Sequence, residues 1–221
     1  MIAEELINQM IPPLKYYDTV EKALRWMDEF RVNELPVVKN RKYMGLATEG
    51  NLVELNDRSQ NLEQVPLEFQ DVHVMHFQHF YDVMEAAIKN KIQVVPVLDE
   101  EQEYMGIITI NDTLAAFGQM SALQGQGSIL VLSMPERDYS LSRISRLIEE
   151  ENTKILSAYV SPDELDPYSI KLTLKLNTTD LSRIIATLER FEYRITAQFN
   201  DGSKYDVGRD RLDMLLKYLD I

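Results

Sequence analysis

The sequence predicts a mixed chain, part α+β and part α/β. Two duplicated strand–helix–strand–strand–helix units pack pseudo-symmetrically, and a ferredoxin-like βαββαβ unit and a C-terminal amphipathic helix follow. Three observations predict this. The stretch "ELPVVKNRKYMGLATEGNL" at 34–52 returns as "VVPVLDEEQEYMGIITINDTL" at 94–114. Several segments carry apolar residues at helical spacing, and "SIKLTLKLN" alternates apolar and polar without a break.

The repeat is read residue by residue. Pro36 and Val37 match Pro96 and Val97 at an offset of 60; after one extra loop residue, Tyr43, Met44, Gly45 and Thr48 match Tyr104, Met105, Gly106 and Thr109 at 61. Upstream, "TVEKALRWMDEFRV" lies over "HFYDVMEAAIKNKI". In the first copy Asp18 or Thr19 can cap a helix, with Glu21 three residues after Asp18 as in a capping box. Val20, Ala23, Leu24 and Met27 then form an apolar stripe. "LPVV" is a short buried strand, "KNRK" a turn and "YMGLAT" the next strand. Neither copy has much interior alone, so two halves packed together bury far more.

The segment "GIITIND" at 106–112 places a Gly in a strand and a Thr and an Asp at a helix start. A strand glycine permits close approach of a ligand or backbone. A Thr hydroxyl and the N–H groups of a helix start suit a phosphate, and a carboxylate suits the vicinal hydroxyls of a ribose. The same residues also serve as an ordinary N-cap and strand end. The duplicated arrangement resembles the CBS domain, which occurs in tandem pairs called Bateman modules, over roughly residues 1–120. The resemblance rests on the LPVV-type strand, the Gly after the turn, and the match of 106–112 to the family pattern G-x-x-[ST]-x-x-D. It implies units at 1–60 and 61–120, and adenosine-nucleotide contacts from Gly106, Thr109 and Asp112. Ile92, Val94 and Pro96 would wall the base, and His76 and Phe77 would flank base or phosphate. The first copy keeps Gly45 and Thr48 but has Asn51 in place of the Asp. An amide caps a helix well but is the weaker acceptor, so a weaker second site is expected there.

All three histidines, His73, His76 and His79, fall in "HVMHFQHF". The repeat places the first two on a short strand, where residues three apart point to opposite faces, and His79 at the helix start. Such ligands diverge, so no metal site is expected.

"SALQGQG" at 121–127 reads as a linker. The order after it is strand "SILVLSM", helix "SLSRISRLIEEEN" with Leu141, Ile144, Leu147 and Ile148 on one face, and strand "TKILSAYVS". Strand "SIKLTLKLN" follows, with Ile170, Leu172, Leu174 and Leu176 inward, then helix "DLSRIIATLERF" with Leu181, Ile184, Ile185 and Leu188, and strand "YRITAQF". This βαββαβ order over 128–200 resembles an ACT domain, carried by residues 129–161. "PERDYSL" lacks the glycine that amino-acid-binding ACT domains usually have there, so self-association is expected rather than an amino-acid site. The domain order is similar to that of bacterial acetoin-utilisation-type CBS–ACT proteins. At 201–221 a turn-rich joint precedes an amphipathic helix with Leu212, Leu215, Leu216 and Leu219 on one face.

Composition narrows function. Lys and Arg number 23 against 36 Asp and Glu, a net charge of −13, with no basic stripe for phosphate backbones, so nucleic acid is not an expected partner. The chain has no cysteine, no membrane-length apolar run and no signal-like N-terminus, which fits the cytoplasm and no membrane partner. No nucleophile elbow, P-loop, dinucleotide fingerprint or zincin motif occurs, so the expected protein is not an enzyme. The reading is a regulatory sensor with no required cofactor. AMP, ADP, ATP or S-adenosylmethionine would be its ligand, a homodimer its assembly, and an unidentified target protein its listener. The alternative is a ligand-free dimerisation scaffold that has kept both folds.

Overall fold

A computed structural model describes residues 1–119, 126–164 and 166–200. The chain divides into two compact units, Met1–Gln119 and Met120–Ile221. The expected joint and helix at 201–221, and all but the last two residues of the expected linker, lie outside the described residues.

Unit 1 contains both repeats. The first is β1 (Leu14–Lys15), α1 (Val20–Phe30), β2 (Glu34–Lys39), β3 (Lys42–Thr48) and α2 (Glu49–Val53). The second is β4 (Val74–Met75), α3 (Phe80–Asn90), β5 (Val94–Leu98), β6 (Tyr104–Thr109) and α4 (Ile110–Gly118). Each forms a three-stranded sheet, β1-β2-β3 and β4-β5-β6. The first pair in each is parallel and the second antiparallel. The duplication extends to the caps: α1 and α3 both end on a left-handed residue, Arg31 at φ 55° and Lys91 at φ 56°.

Local chemistry explains the elements. Thr19 caps α1, accepting from the Lys22 N–H, while Asp18 instead accepts from Lys15 N and pairs with Lys22. Val20, Ala23 and Met27 are buried, whereas Leu24 is half-buried. Asn40 and Arg41 both take positive φ, 51° and 67°, as a two-residue hairpin turn with right-handed strand twist requires. The residue that changes the repeat offset lies in the β5–β6 loop, where Gln102 sits at φ 60°.

One apolar core runs through both repeats, from Ala3 and Leu14 through Leu35, Val37 and Leu46 to Val94, Ile107 and Ile108. Each repeat thus supplies the interior the other lacks.

The segment before each first strand crosses to the opposite repeat. Ala3 N donates to Gln78 O at 2.8 Å, and Asn8 N to Ile107 O at 2.8 Å. In the other direction Leu46 N donates to Glu68 O at 2.7 Å and Glu68 N to Leu46 O at 2.9 Å. Asn8 and Glu68 occupy equivalent places at the repeat offset of 60.

Unit 2 comprises β7 (Ser128–Pro135), α5 (Leu141–Glu150), β8 (Ile155–Pro162), β9 (Ser169–Leu176), α6 (Ser182–Arg190) and β10 (Arg194–Asn200). The antiparallel sheet has the order β10-β7-β9-β8, so the two central strands are β7 and β9, as in a ferredoxin-like fold. Ile170, Leu172, Leu174 and Leu176 are buried with Ile144, Leu147, Ile148, Ile184 and Leu188. Leu141 departs from its expected place on the buried face. It is the first helical residue after the Ser140 cap and is 39% exposed. Leu181 stands just before α6 as its N-cap and is buried nonetheless.

Candidate functional site

The Thr109–Asp112 pair sits where β6 runs into α4. Thr109 takes an extended backbone as N-cap, and its hydroxyl accepts from Asp112 N at 3.1 Å. Asp112 Oδ2 in turn accepts from Thr109 N at 2.9 Å and from Thr109 Oγ1 at 2.7 Å, closing a capping box. Asn8, on the crossed-over N-terminal segment, donates its amide to both carboxylate oxygens at 3.1 Å. Thr109 is 7% exposed and Asp112 is half-buried. Among the described residues Asp112 Oδ1 accepts from Asn8 alone, so it retains capacity for a ligand hydroxyl. Asp112 also lines a cavity of about 390 Å³, with Glu5, Leu6 and Ile7 of the crossing segment, further residues of α4 and Gln119 after it. The Thr109 hydroxyl has one proton, directed at Asp112, and must turn away to serve a phosphate.

Gly106 has its close approach, but to the chain itself. A Cβ built there would collide with Ile7 Cγ2, so the missing side chain makes room for the crossing segment. Gly45 is the counterpart: at φ 132°, its Cβ would meet Glu68 O at 2.8 Å and Leu67 Cβ at 2.9 Å. At Thr48 the hydroxyl donates not to an N3 side chain but to Glu68 Oε2 at 2.7 Å, and α2, which carries Asn51, has no side-chain cap hydrogen bond.

The two half-sites meet at the starts of β2 and β5. Glu34 is the register partner of Thr48, and Val94 of Thr109. Gln93 N donates to Glu34 Oε2 at 3.1 Å, and Asn33 N donates to Gln93 Oε1 at 3.3 Å. Asn33 O and Gln93 O accept the first N–H groups of α2 and α4, from Glu49 at 2.7 Å and Ile110 at 2.9 Å. Glu34 is a carboxylate only 8% exposed. Burial raises its pKa above the ordinary value, and the Gln93 N–H offsets part of that rise. Its signal in the sequence is a break in the repeat, a Glu where the second copy has Val94.

A raised carboxyl pKa means the folded state holds more protons, so this group's contribution to stability falls as pH rises above the unfolded value of about 4.5. Glu34→Gln is accordingly expected to match the wild type near pH 4 and to exceed it at pH 7. Urea midpoints at the two pH values read this difference; a gap that does not widen with pH would refute it.

The other expected contacts divide between buried residues in and just before β5, which pairs with β6, and the segment after β4. Val94, Ile92 and Pro96 are buried in the core and offer a base no open wall in this arrangement. His76 and Phe77 follow β4, whose neighbour is the far end of β5: His76 N donates to Leu98 O, whereas Thr109 pairs with Val94. Those ends are about 13 Å apart at the usual strand rise. The strand register therefore sets His76 and Phe77 apart from the Thr109–Asp112 pair. His76 Nδ1 instead lies 3.3 Å from Glu4 Oε2, and Phe77 is exposed. His79 caps α3, its ring nitrogen accepting from Tyr81 N at 3.4 Å. No group of three His, Cys, Asp or Glu converges as a metal set among the described residues. Among them, too, no helix is long and apolar enough to cross a membrane.

Residues 72–118 match the sequence model of the CBS domain. That stretch forms most of the second repeat, and the first repeat has the same order of strands and helices. The chain is 24% identical over 150 residues to the inosine-5'-monophosphate dehydrogenase of Methanocaldococcus jannaschii, a match covering 67% of this chain and 30% of that enzyme. The chain thus spans under a third of that relative's length. Among solved structures it is similar to a CBS domain pair/ACT domain protein from Thermotoga maritima, at 22% identity and a TM-score of 0.48, covering 53% of this chain and 96% of the other. It is also similar to a putative acetoin utilization protein from Vibrio cholerae, at 21% identity and a TM-score of 0.48, covering 56% and 95%.

Proposed function

We propose that this is a regulatory, non-catalytic protein whose CBS pair senses an adenosine-containing nucleotide. The signal passes on through rearrangement of its domains or of a homodimer, with the ferredoxin-like unit as an ACT-like self-association element and an unidentified target protein as listener. The observation that carries the reading is the Asp112 carboxylate. It sits half-buried at the head of α4, within the stretch that matches the CBS domain, is held by Thr109 and Asn8, lines a cavity and keeps acceptor capacity on Oδ1. That acceptor suits a ribose hydroxyl, and the nine-residue α4 directs its N-terminal dipole toward a phosphate. A ligand shifts the arrangement of the repeats only by its differential affinity for two states.

Thermal-shift titration with AMP, ADP, ATP and S-adenosylmethionine tests it. A ligand at a hundred times its dissociation constant stabilises the folded site by about 2.7 kcal/mol. Asp112→Asn, which removes the charge but keeps the shape, is expected to weaken the binding nucleotide at least about tenfold. A scaffold is the second reading, favoured by Ile7 lying against Gly106 and by the amide of Asn8 on Asp112. Flat curves with every nucleotide would select it.

A further inference from the structure

The two half-sites are equivalent in strand register and differ in the number and place of their carboxylates. Around Thr109 stand Val94, Ile110 and Asn8, all neutral, with Asp112 at the ribose position. At the equivalent places around Thr48 stand Glu34, Glu49 and Glu68, all acidic, with Asn51 at the ribose position. Three of these four differences thus add a carboxylate to the first half-site where a phosphate would come, and the fourth removes the one where a ribose would. Their roles differ. Glu68 Oε2 lies 2.7 Å from Thr48 Oγ1 and takes its proton, as Asp112 takes that of Thr109, but Glu68 stands where the second half-site has the neutral Asn8 and so adds a charge that repels an incoming anion. Glu34 is buried at the base of the same site, the register partner of Thr48, where a low-dielectric surrounding strengthens its repulsion of a second anion. The helices differ as well: α2 has five residues and α4 has nine, so the dipole that favours an anion is largely confined to α4.

We infer that the chain takes one anionic nucleotide, at the Thr109–Asp112 half-site, and that Glu68, supported by Glu34, holds the Thr48 half-site closed to anions. This rests on the nucleotide reading above and adds a stoichiometry and the residues that set it. Signalling then comes from an asymmetric pair, in which one repeat responds to ligand and the other carries a fixed internal substitute for it.

Isothermal titration of the full chain with AMP and with ATP tests the inference. The wild type is expected to bind one equivalent per chain, lost or weakened at least about tenfold in Asp112→Asn and unchanged in Thr48→Val. Exchanging the half-site residues should exchange the behaviour. Glu68→Asn with Asn51→Asp is expected to raise the count to two. Asn8→Glu, which gives the second half-site its counterpart's carboxylate, is expected to lower affinity at least about tenfold through like-charge repulsion. Unfolding midpoints confirm that each variant is folded, and the two exchanges involve different segments, so failure of one to fold leaves the other decisive. Two equivalents in the wild type would overturn the inference and leave the nucleotide reading standing. So would a single equivalent lost in Thr48→Val rather than Asp112→Asn, or an unchanged count in the folded Glu68→Asn, Asn51→Asp variant. Absence of heat with either nucleotide, together with flat thermal shifts, would remove the nucleotide reading and this inference with it.

Discussion

Gly45→Ala is expected to destabilise unit 1 by about 2–5 kcal/mol, from left-handed backbone strain and overpacking together. Gly45 sits at φ 132°, a conformation L residues rarely adopt, so the new methyl is strained before it meets anything. It then meets the backbone carbonyl of Glu68 at 2.8 Å and Leu67 Cβ at 2.9 Å. Neither neighbour yields easily. Glu68 is tied by two backbone hydrogen bonds to Leu46, and Leu67 packs against the shared core. Gly50, five residues on in α2, is the matched control: nothing lies within 4 Å of its Cβ position, and Ala there is expected to be neutral or stabilising by up to about 1 kcal/mol. The one tryptophan, Trp26, lies in α1 under the Lys22 ammonium, 4.2 Å from the ring centroid, and reports on unit 1 by fluorescence. Urea midpoints of the two variants should move in opposite directions or by very different amounts. Equal midpoints would show that the crossing segment does not press on Gly45.

In unit 2 the largest effect is expected from Leu172→Ala, at about 2–5 kcal/mol, the range for removing a buried leucine side chain. Leu172 is fully buried on β9, between Leu132 of β7 and Val160 of β8 in the strand register. It belongs to the core built with Ile144 and Ile148 of α5 and Ile184 of α6, so no solvent can fill the space its side chain leaves. Thr173 is the next residue on the same strand, points to the opposite face and is half-buried; Thr173→Ala is expected to change stability by less than about 1 kcal/mol. Amide exchange along β7, β8 and β9 reads both. A Leu172→Ala variant that keeps wild-type protection while Thr173→Ala loses it would invert the face assignment.

Those two variants mark how far the sequence could be read. Leu172 is legible because a strand's side-chain period of two turns a written alternation directly into a buried and an exposed face. The same holds for Val20, Ala23 and Met27 on α1, where the helical period selects the face. Leu141 shows the limit of the rule: a helix's first residue lies before the periodic face is established, and its position depends on how the cap directs the chain.

The site was half legible. Thr109 and Asp112 fall together because their relation is local, three residues across a helix start, and local geometry follows from residue type. Asn8, Glu68 and the contact of Ile7 with Gly106 were not legible, since 104 residues separate Asn8 from Asp112 and no periodicity links them. Glu34 left a trace as a charge interrupting an apolar repeat. The separation of His76 and Phe77 from α4 was not legible, because pairing direction decides which end of a two-residue strand lies near it.

By itself, then, the sequence determined the duplication, the ten-strand order of elements, the buried faces and the Thr–Asp helix start, all of them set by short-range periodicity, capping and turn chemistry. Only the tertiary structure decided that the segment before each repeat is bound by the other repeat. That exchange gives both strand glycines their neighbours and places a neutral amide on one half-site and a carboxylate on the other. The physical reason is that such pairings are chosen by burial of a shared core and by satisfaction of backbone groups across large sequence separations, which no local pattern encodes.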